Sequence, residues 1–302
     1  MRSSSSLLLL YKPSGVTSFA SLKPVKRTIS KKVGHAGTLD KFAEGLMIVL
    51  TGTFTKLNPL FSNLDKRYIA TILFGKETST LDPEGEVVAT AEVPSIDEIS
   101  AVLESQFLGT IDQAPPQYSA VHIDGKRAYK MARAGEEVEM PTRKVTIHAL
   151  KIISWSAPVL QLEVHCSKGT YIRSLARDIA IACGSKGHLT ALERTAIGPY
   201  LVKEAIDPDD SETLQLHGQE SAARISRLPH IGSVVVDTKS AHRLTYGNLP
   251  KKNGILRSDL HKDDEYAMII DEEGILLAIT GIDNQGIPNK VYALPCMEKG
   301  IV

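Results

Sequence analysis

Cysteine, long apolar runs and known nucleotide-binding motifs are scarce in this sequence of 302 residues. Its three cysteines lie far apart and form no Cys-x-x-Cys pair, which argues against a zinc site or a disulfide framework and fits a reducing compartment. The four leucines of residues 7–10 are too short a run for the ~7–15-residue apolar core of a signal peptide. No stretch approaches the length of a membrane span. We therefore expect an unanchored cytoplasmic protein with no bound metal.

The sequence also lacks several arrangements that define large enzyme classes. It contains no P-loop and no Gly-x-Gly-x-x-Gly pattern, no recognisable Ser/His/Asp or Cys/His spacing, and no motif that pairs two acidic residues. Because a glycosidase of the usual kind needs two carboxylates, that class is disfavoured. A single carboxylate can still act at a glycosidic carbon, either as a nucleophile or as a counter-charge to an oxocarbenium-like centre.

Residues 34–40, with the sequence Gly-His-Ala-Gly-Thr-Leu-Asp, form the most unusual short stretch. Its glycines allow a positive φ and a close approach of the backbone to a ligand, which predicts a tight loop that ends in a carboxylate. The apolar residues from 42 to 50 predict a buried helix, or a helix followed by a strand, directly after the loop. Asp40 therefore has two interpretations from these residues alone: it caps that helix, or it is a functional carboxylate.

Candidate partners for Asp40 occur in two other stretches. Tyr68 opens a predicted strand, and Tyr171 and Arg173 lie at the entrance to a predicted helix. An arginine beside a carboxylate favours the ionised form and lowers the pKa by ~1–3 units. If Arg173 contacts Asp40, we expect the pKa of Asp40 to lie below its usual range.

Charge is unevenly distributed although the net charge is zero. Residues 11–60 contain eight Lys or Arg and two acidic residues, whereas residues 204–302 contain ten Lys or Arg and sixteen acidic residues. Basic side chains clustered near phosphates release condensed counterions on binding, so the first region suits a polyanion such as nucleic acid. A solvated charged surface is the alternative interpretation.

Local patterns predict several elements. β-Branched and aromatic residues predict strands at 67–75, 145–155 and 160–166. Ser95 and Glu98 have the spacing of a capping box for a helix over 94–107, and a second helix is predicted over 176–182. The basic segment 125–135 is typical of a short surface helix. Residues 203–230 predict a connector, and short strands divided by Gly, Asn and Asp beyond them predict a small β-barrel-like unit.

Five blocks of the sequence resemble the motifs of the TruB-type tRNA pseudouridine synthases. The blocks occur in the order of the family and span roughly residues 10–200. They are Lys-Pro-Ser-Gly-Val-Thr-Ser at 12–18, the loop at 34–40, Lys-Arg-Tyr and the turn after it at 66–85, Gln-Ala-Pro-Pro-Gln-Tyr-Ser-Ala at 113–120, and Cys-Ser-Lys-Gly-Thr-Tyr-Ile-Arg-Ser-Leu at 166–175.

The resemblance implies a fold, a reaction and a partner. It implies an α+β pseudouridine synthase domain over 1–228, with a mixed, largely antiparallel central sheet and flanking helices, and a PUA-like β-barrel domain over 229–302. It implies isomerisation of a uridine in the T arm of tRNA, conventionally position 55, with no metal and no organic cofactor. The segment at about 122–144 resembles an insertion that grips the RNA stem-loop. No obligate protein partner is expected.

The resemblance also implies roles for particular residues. Asp40 matches the essential aspartate, which attacks the sugar, attacks the base or helps to remove the 2′ hydrogen. Tyr68 matches the aromatic residue that stacks on the target base and assists proton removal at its C5, and Arg173 matches the ion-pair partner of the aspartate. The positions that line the substrate pocket are matched by Lys12, His35, Tyr171 and Leu192.

Two alternatives stay open. One is an RNA-binding or RNA-folding protein whose chemistry is vestigial, and the other is a synthase that acts on a different RNA. The sequence departs from the family pattern at Tyr11, Lys41, Phe42 and Glu193. These departures bear on local packing and RNA affinity more than on the reaction.

Lys31 and Lys32 provide a test of the basic region. If they contact phosphates, replacing both weakens tRNA binding and makes it less sensitive to salt, since each lost phosphate contact removes ~0.7–0.9 from the slope of log affinity against log salt concentration. Filter binding of tRNA over a series of salt concentrations measures this slope. An unchanged slope would make the two lysines ordinary surface residues.

Overall fold

The computed structural model describes residues 5–119, 122–123, 126–127, 131 and 140–294. Before residue 202 the described part contains mainly strands. They are β1 (Leu7–Lys12), β2 (Val33–His35), β3 (Glu44–Thr51), β4 (Lys66–Phe74), β5 (Lys76–Thr78), β6 (Val87–Thr90), β7 (Gly109–Gln113), β8 (His122–Ile123), β9 (Lys126–Arg127), β10 (Arg143–Ser156), β11 (Val159–Cys166), β12 (Gly187–Ile197) and β13 (Tyr200–Leu201).

Nine of these strands form one sheet. Its order is β1-β3-β12-β4-β11-β10-β7, with β2 paired to β3 and β13 paired to β12. Every pairing is antiparallel except that of β3 with β12. The prediction of a mixed, largely antiparallel central sheet is therefore confirmed.

Helices pack on both faces of this sheet and along its edge strand β1. The described helices are α1 (Lys23–Thr28), α2 (Asn58–Ser62), α3 (Ile96–Gln106), α4 (Ile172–Ala182), α5 (Ser211–Gln219), α6 (Ser221–Ile225) and α7 (Thr238–Leu244), with short 3-10 turns at Ala20–Leu22, Gly52–Leu57, Val202–Glu204 and Lys252–Gly254. The predicted capping box of α3 is present, since Ser95 and Glu98 bond each other's backbone amides. Apolar side chains of α3 and α4 share a core with β4 and β11.

The last part of the described chain forms a separate five-stranded sheet. Its strands are β14 (Ile231–Val236), β15 (Ile255–Asp259), β16 (Tyr266–Ile270), β17 (Leu276–Ile282) and β18 (Pro288–Ala293). Their order, β15-β14-β16-β17-β18, ends at two different strands. The structure therefore establishes a small C-terminal sheet, and its closure into a barrel stays a prediction. Met268, Leu276 and Ile279 of this sheet share a core with β1 and β3.

Two sequence expectations about local structure are wrong. Residues 42–43 form no helix and residues 44–50 belong to β3, so Asp40 does not cap a helix there. The predicted connector at 203–230 contains α5 and α6, which lie along the edge strand β1. There the backbone amide of Leu7 donates to Ser221 Oγ at 2.8 Å, and that of Leu9 donates to His217 Nε2 at 3.2 Å. Polar side chains that bond the backbone of an edge strand produce no periodic pattern of apolar residues, so these helices could not be predicted from such a pattern.

The predicted RNA-gripping segment at 122–144 is described only in part. Residues 124–125, 128–130 and 132–139 lie outside the described residues. The predicted basic helix at 125–135 is wrong at its start, where Lys126–Arg127 form the strand β9. Within the described part, β8 pairs with β9 as a short antiparallel ribbon. No helix among the described residues is long and apolar enough to span a membrane.

Gly45 in β3 pairs with Arg194 of β12 at the parallel junction of the main sheet. Its φ is 106°, and a Cβ atom there would lie 2.5 Å from the carbonyl oxygen and 2.8 Å from the nitrogen of Arg194. We expect Gly45→Ala to lower the free energy of unfolding by ~3 kcal/mol or more, because a backbone clash adds to the cost of a left-handed conformation. Urea denaturation measures this loss.

Gly15 provides a matched control. Its φ is 81°, but a Cβ atom on it would meet nothing within 4 Å. Gly15→Ala should therefore cost only the ~1–2 kcal/mol of a left-handed L-residue. Equal losses in the two variants would contradict the steric argument for Gly45.

Candidate active site

Asp40 and Arg173 form the central contact of the site. Arg173 donates from Nε to Oδ2 of Asp40 at 2.9 Å and from Nη2 to Oδ1 at 3.1 Å, which is a bidentate, charge-assisted pair. Asp40 lies in the loop between β2 and β3, and Arg173 is in the first turn of α4. The Arg173 side chain is buried, whereas 38% of the Asp40 side chain is exposed. The carboxylate is thus held on its protein side and open on the other.

Arg173 is itself held by three further acceptors. Its Nη1 donates to the carbonyl oxygen of Thr80 at 2.9 Å and lies 3.3 Å from Oδ2 of the buried Asp82. Its Nη2 also donates to the carbonyl oxygen of Tyr118 at 3.1 Å. Because the planar guanidinium bonds in several directions at once, its orientation toward Asp40 is fixed.

The expected low pKa of Asp40 is wrong. Burial raises the pKa of this carboxyl above its usual range, the positive charge of Arg173 opposes the rise, and the negative charge of Asp82 adds to it. The sequence argument considered only the cation. In the structure Arg173 is shared between two carboxylates, so it offsets only part of the desolvation cost.

Tyr68 lies in β4 and is buried beside Leu39 and Leu192 in the same core as α4. Its hydroxyl is hydrogen-bonded to the side chain of Arg194. Burial raises the pKa of Tyr68, and the positive charge of Arg194 opposes that rise. Tyr68 is therefore a protonated phenol at neutral pH with a cation beside its oxygen.

Arg194 connects Tyr68 to the loop that carries Asp40. It is directly opposite Tyr68 in the register of β12 with β4. Its buried side chain donates from Nε to the carbonyl oxygen of Leu46 at 2.8 Å and from Nη2 to that of Gly37 at 3.1 Å. One guanidinium thus fixes the positions of the loop, of β3 and of the tyrosine.

Lys12 holds the backbone next to Asp40 through hydrogen bonds. Its side chain is fully buried, and its Nζ donates to the carbonyl oxygens of Pro13 at 2.9 Å, Val16 at 2.6 Å and Lys41 at 3.3 Å. Burial lowers the pKa of Lys12 to about 8, and the negative charge of Asp40 opposes that fall. The ammonium is therefore engaged within the protein next to Asp40, so the structure gives Lys12 a supporting position and no exposed contact surface.

The other predicted pocket residues surround the same region. His35 is half-buried in β2, and burial, followed by the charge of Arg194, lowers its pKa, so its imidazole is neutral. Tyr171 is half-buried just before α4, and Gln113 bonds both its backbone amide (2.8 Å) and its carbonyl oxygen (3.2 Å). Leu192 is buried in the cluster that contains Tyr68.

Lys31 and Lys32 have a different setting from the residues above. Both are exposed in the turn between α1 and β2. They belong to the surface of the basic region, and the structure does not bring them into the Asp40–Arg173 contact.

Asp82 and Arg194 are the two site residues that sequence reasoning did not single out. Asp82 lies inside the block at 66–85, and Arg194 lies two residues after Leu192, so both were close to recognised positions. Their partners are set by long-range pairing: Arg194 faces Tyr68 only because β12 pairs with β4 in one register. The contact cannot be predicted from the sequence alone, because the sequence does not give the register of the two strands.

Comparisons with known proteins identify similar sequences and similar folds. Residues 26–172 match the model of the TruB family pseudouridylate synthase N-terminal domain. The chain is 38% identical over 279 residues to a protein of Borreliella burgdorferi strain ZS7 named tRNA pseudouridine synthase B, covering 91% of this chain and 94% of that protein. It is 39% identical to the protein of the same name from Caulobacter sp. strain K31, covering 85% and 86% of the two chains.

Solved structures show the same fold at lower sequence identity. A Cbf5-Nop10-Gar1 complex contains a chain that matches with a TM-score of 0.68 at 21% identity, covering 95% of this chain and 85% of that one. An H/ACA ribonucleoprotein bound to a substrate RNA containing 2′-deoxyuridine matches with the same TM-score at 20% identity, covering 98% and 86%. Fold and matched sequence together define a pseudouridylate synthase. The chain belongs to the TruB family of these enzymes.

The causes of the Asp40 pKa shift can be tested with two variants that are expected to move this pKa in opposite directions. Arg173→Gln removes a positive charge that favours the carboxylate, so we expect the Asp40 pKa to rise further. Asp82→Asn removes a negative charge that disfavours the carboxylate, so we expect the pKa to fall. A ¹³C NMR titration of the Asp40 carboxyl measures both.

Shifts of the Asp40 pKa in opposite directions would distinguish an electrostatic effect from structural damage. General loosening of the site would expose Asp40 to water in both variants and would move its pKa in the same direction in both. Arg67→Gln is a matched control, since Arg67 is an exposed arginine on β4 that pairs with Glu163 at 4.0 Å. It should leave the Asp40 titration unchanged.

Proposed function

We propose that this chain isomerises uridine 55 in the T arm of tRNA to pseudouridine. The observation that carries the proposal is the bidentate Asp40–Arg173 pair, which presents a carboxylate of fixed orientation at a partly exposed position. The naming of its relatives as tRNA pseudouridine synthase B supports tRNA as the substrate. The position within tRNA rests on the resemblance of the sequence blocks to the family.

The reaction is a rearrangement within one nucleotide. The bond from N1 to C1′ breaks, the base turns, C5 joins C1′, C5 loses its proton and N1 gains one, so the atoms balance without a co-substrate. A uridine in folded RNA must leave its stack to be reached, and an aromatic side chain recovers ~1–3 kcal/mol of that cost. We assign this stacking to Tyr68 and the lining of the pocket to His35, Tyr171 and Leu192.

The three possible roles of Asp40 share one requirement, which is an ionised side chain. Attack on C1′, attack on the base and removal of the 2′ hydrogen all use the carboxylate and not the carboxylic acid. Arg173 opposes the rise in pKa that burial causes. We therefore assign Arg173 the role of keeping Asp40 ionised and aimed, and Asp82 the role of holding Arg173.

Arg194 has the corresponding role for Tyr68. A phenol assists proton removal from C5 only if negative charge can develop on its oxygen. Burial disfavours that charge, and the Arg194 guanidinium bonded to the hydroxyl favours it. We infer that Arg194 makes a tyrosinate accessible at Tyr68 during the proton transfer.

The remaining assignments concern binding and organisation. We infer that the basic region at 11–60, including the exposed Lys31 and Lys32, contacts tRNA phosphates, together with the segment at about 122–144. We infer a catalytic domain over 1–228 and a PUA-like domain over 229–302, acting in the cytoplasm without an obligate protein partner. The acidic balance of residues 204–302 makes the C-terminal unit the weaker phosphate binder.

The function is tested with Asp40→Asn on an unmodified tRNA transcript. We expect pseudouridine formation to fall by at least ~10³-fold, since the amide can act neither as nucleophile nor as base, while tRNA affinity changes little. Mapping of pseudouridine by chemical modification and primer extension gives both position and yield. Asp97→Asn is the matched control, because Asp97 is an exposed aspartate on α3 and should retain full turnover.

The outcomes distinguish the alternatives. Appreciable turnover by Asp40→Asn would overturn the assignment of the carboxylate. Binding without turnover by the unmodified chain would favour an RNA-binding protein with vestigial chemistry. Modification of a different position or a different RNA would identify a synthase with another target.

A further inference from the structure

Two histidines and an aspartate meet on the side of the main sheet opposite Tyr68. Asp65 immediately precedes β4, His148 lies in β10 and His165 lies in β11. The Nε2 atom of His148 is 3.2 Å from Oδ2 of Asp65, and the two imidazole centroids are 4.8 Å apart. One ligand atom from each of the three residues lies within 4.8 Å of the others.

His148 lies beside His165 at a β-bulge in the pairing of β10 with β11. In the pairing of β10 with β11, Ile147 is opposite Cys166 and Ala149 is opposite His165, so His148 is the additional residue between them. Because Ile147 and Cys166 face the core, strand alternation directs both His148 and His165 to the opposite face. The two imidazoles lie side by side there and provide a pair of nitrogen donors next to the carboxylate of Asp65.

We propose that Asp65, His148 and His165 bind a borderline divalent transition-metal ion, for which Zn²⁺ is the representative. Two imidazole nitrogens and one carboxylate oxygen are a donor set that zinc and its neighbours prefer, whereas Mg²⁺ and Ca²⁺ prefer oxygen ligands. A water molecule completes a four-coordinate site of this kind.

The geometry requires only side-chain rotation. With metal–ligand bonds of ~2.0–2.2 Å, two ligands of a tetrahedral ion are ~3.3–3.5 Å apart, close to the 3.2 Å between His148 and Asp65. The third ligand, which lies within 4.8 Å of the other two, must approach by up to ~1.5 Å to reach this separation. The site is also accessible, since 35% of the His148 side chain and 47% of the Asp65 side chain are exposed.

The surrounding charges are compatible with a cation. Arg67, a competing positive charge, is in β4 opposite His165 and lies 4.0 Å from Glu163. Glu163 thus offsets part of the charge of Arg67.

This site is separate from the proposed reaction centre. Successive side chains of a strand point to opposite faces, and Tyr68 faces the helix-covered core while Arg67 faces the other side. Asp65 also lines a cavity of about 320 Å³ that includes His230, Glu265 and Tyr266 near the start of the C-terminal sheet. The ion would thus bind beside the junction of the two sheets.

The experiment titrates the full chain, cleared of metal, with ZnCl₂ in an isothermal calorimeter. We expect one Zn²⁺ per chain, and at least a ~10-fold weakening in His148→Ala, His165→Ala and Asp65→Ala, since loss of a partner in the outer shell alone costs 10–100-fold. His261→Ala is the matched control, because His261 is an exposed histidine in the C-terminal unit, and it should bind as the unmodified chain does.

Two results would overturn the proposal. One is the absence of a one-to-one Zn²⁺ complex. The other is unchanged affinity in His148→Ala and His165→Ala, which would place the ion elsewhere, for example on a thiol. If a variant does not fold, NMR of the unmodified chain decides, because Zn²⁺ must then shift the imidazole signals of His148 and His165 and leave that of His261 in place.

Discussion

A buried guanidinium that must satisfy two carboxylates at once governs the assembly of the site. Arg173 reaches Asp40 and Asp82 because α4 packs its apolar side chains onto β4 and β11. Removing either carboxylate would leave part of a buried charge unpaired, which is costly. The loop at 34–40 and the turn at 80–82 are therefore tied to the helix through one side chain, and the position of the exposed carboxylate follows from helix packing.

A second buried guanidinium connects the loop to the sheet. Arg194 bonds Gly37, Leu46 and Tyr68 and, in the described residues, no ion pair with an acidic side chain is found for it. Burying a cation without such a partner costs free energy, which the hydrogen bonds of its guanidinium offset in part. The role proposed for Arg194, which is to stabilise negative charge at Tyr68, is consistent with an arginine at this core position.

The sequence predicted the elements and the principal site residues better than their energetics. Strand patterns predicted β4, β10 and β11 of the main sheet, and motif resemblance predicted Asp40, Tyr68 and Arg173 as site residues, of which the structure brings Asp40 and Arg173 into contact. The pKa of Asp40 was mispredicted because burial and the charge of Asp82 are properties of the folded chain. Arg194, Asp65, His148 and His165 acquire partners only through strand register, and the helices at 211–225 pack on β1 with polar contacts that have no periodic signature.

Because successive side chains of a strand point to opposite faces, β4 contributes to two separate proposed sites. Tyr68 on one face belongs to the proposed reaction, and Arg67 on the other lies beside the proposed metal ligands. A shift of one residue in the pairing of β4 would exchange these faces and destroy both sites together. Two neighbouring strands fix the register by pairing along nearly all of β4, and Gly45 permits the close contact of β3 with β12 that anchors one of them. The backbone conformation of one glycine thus bears on the chemistry of both faces.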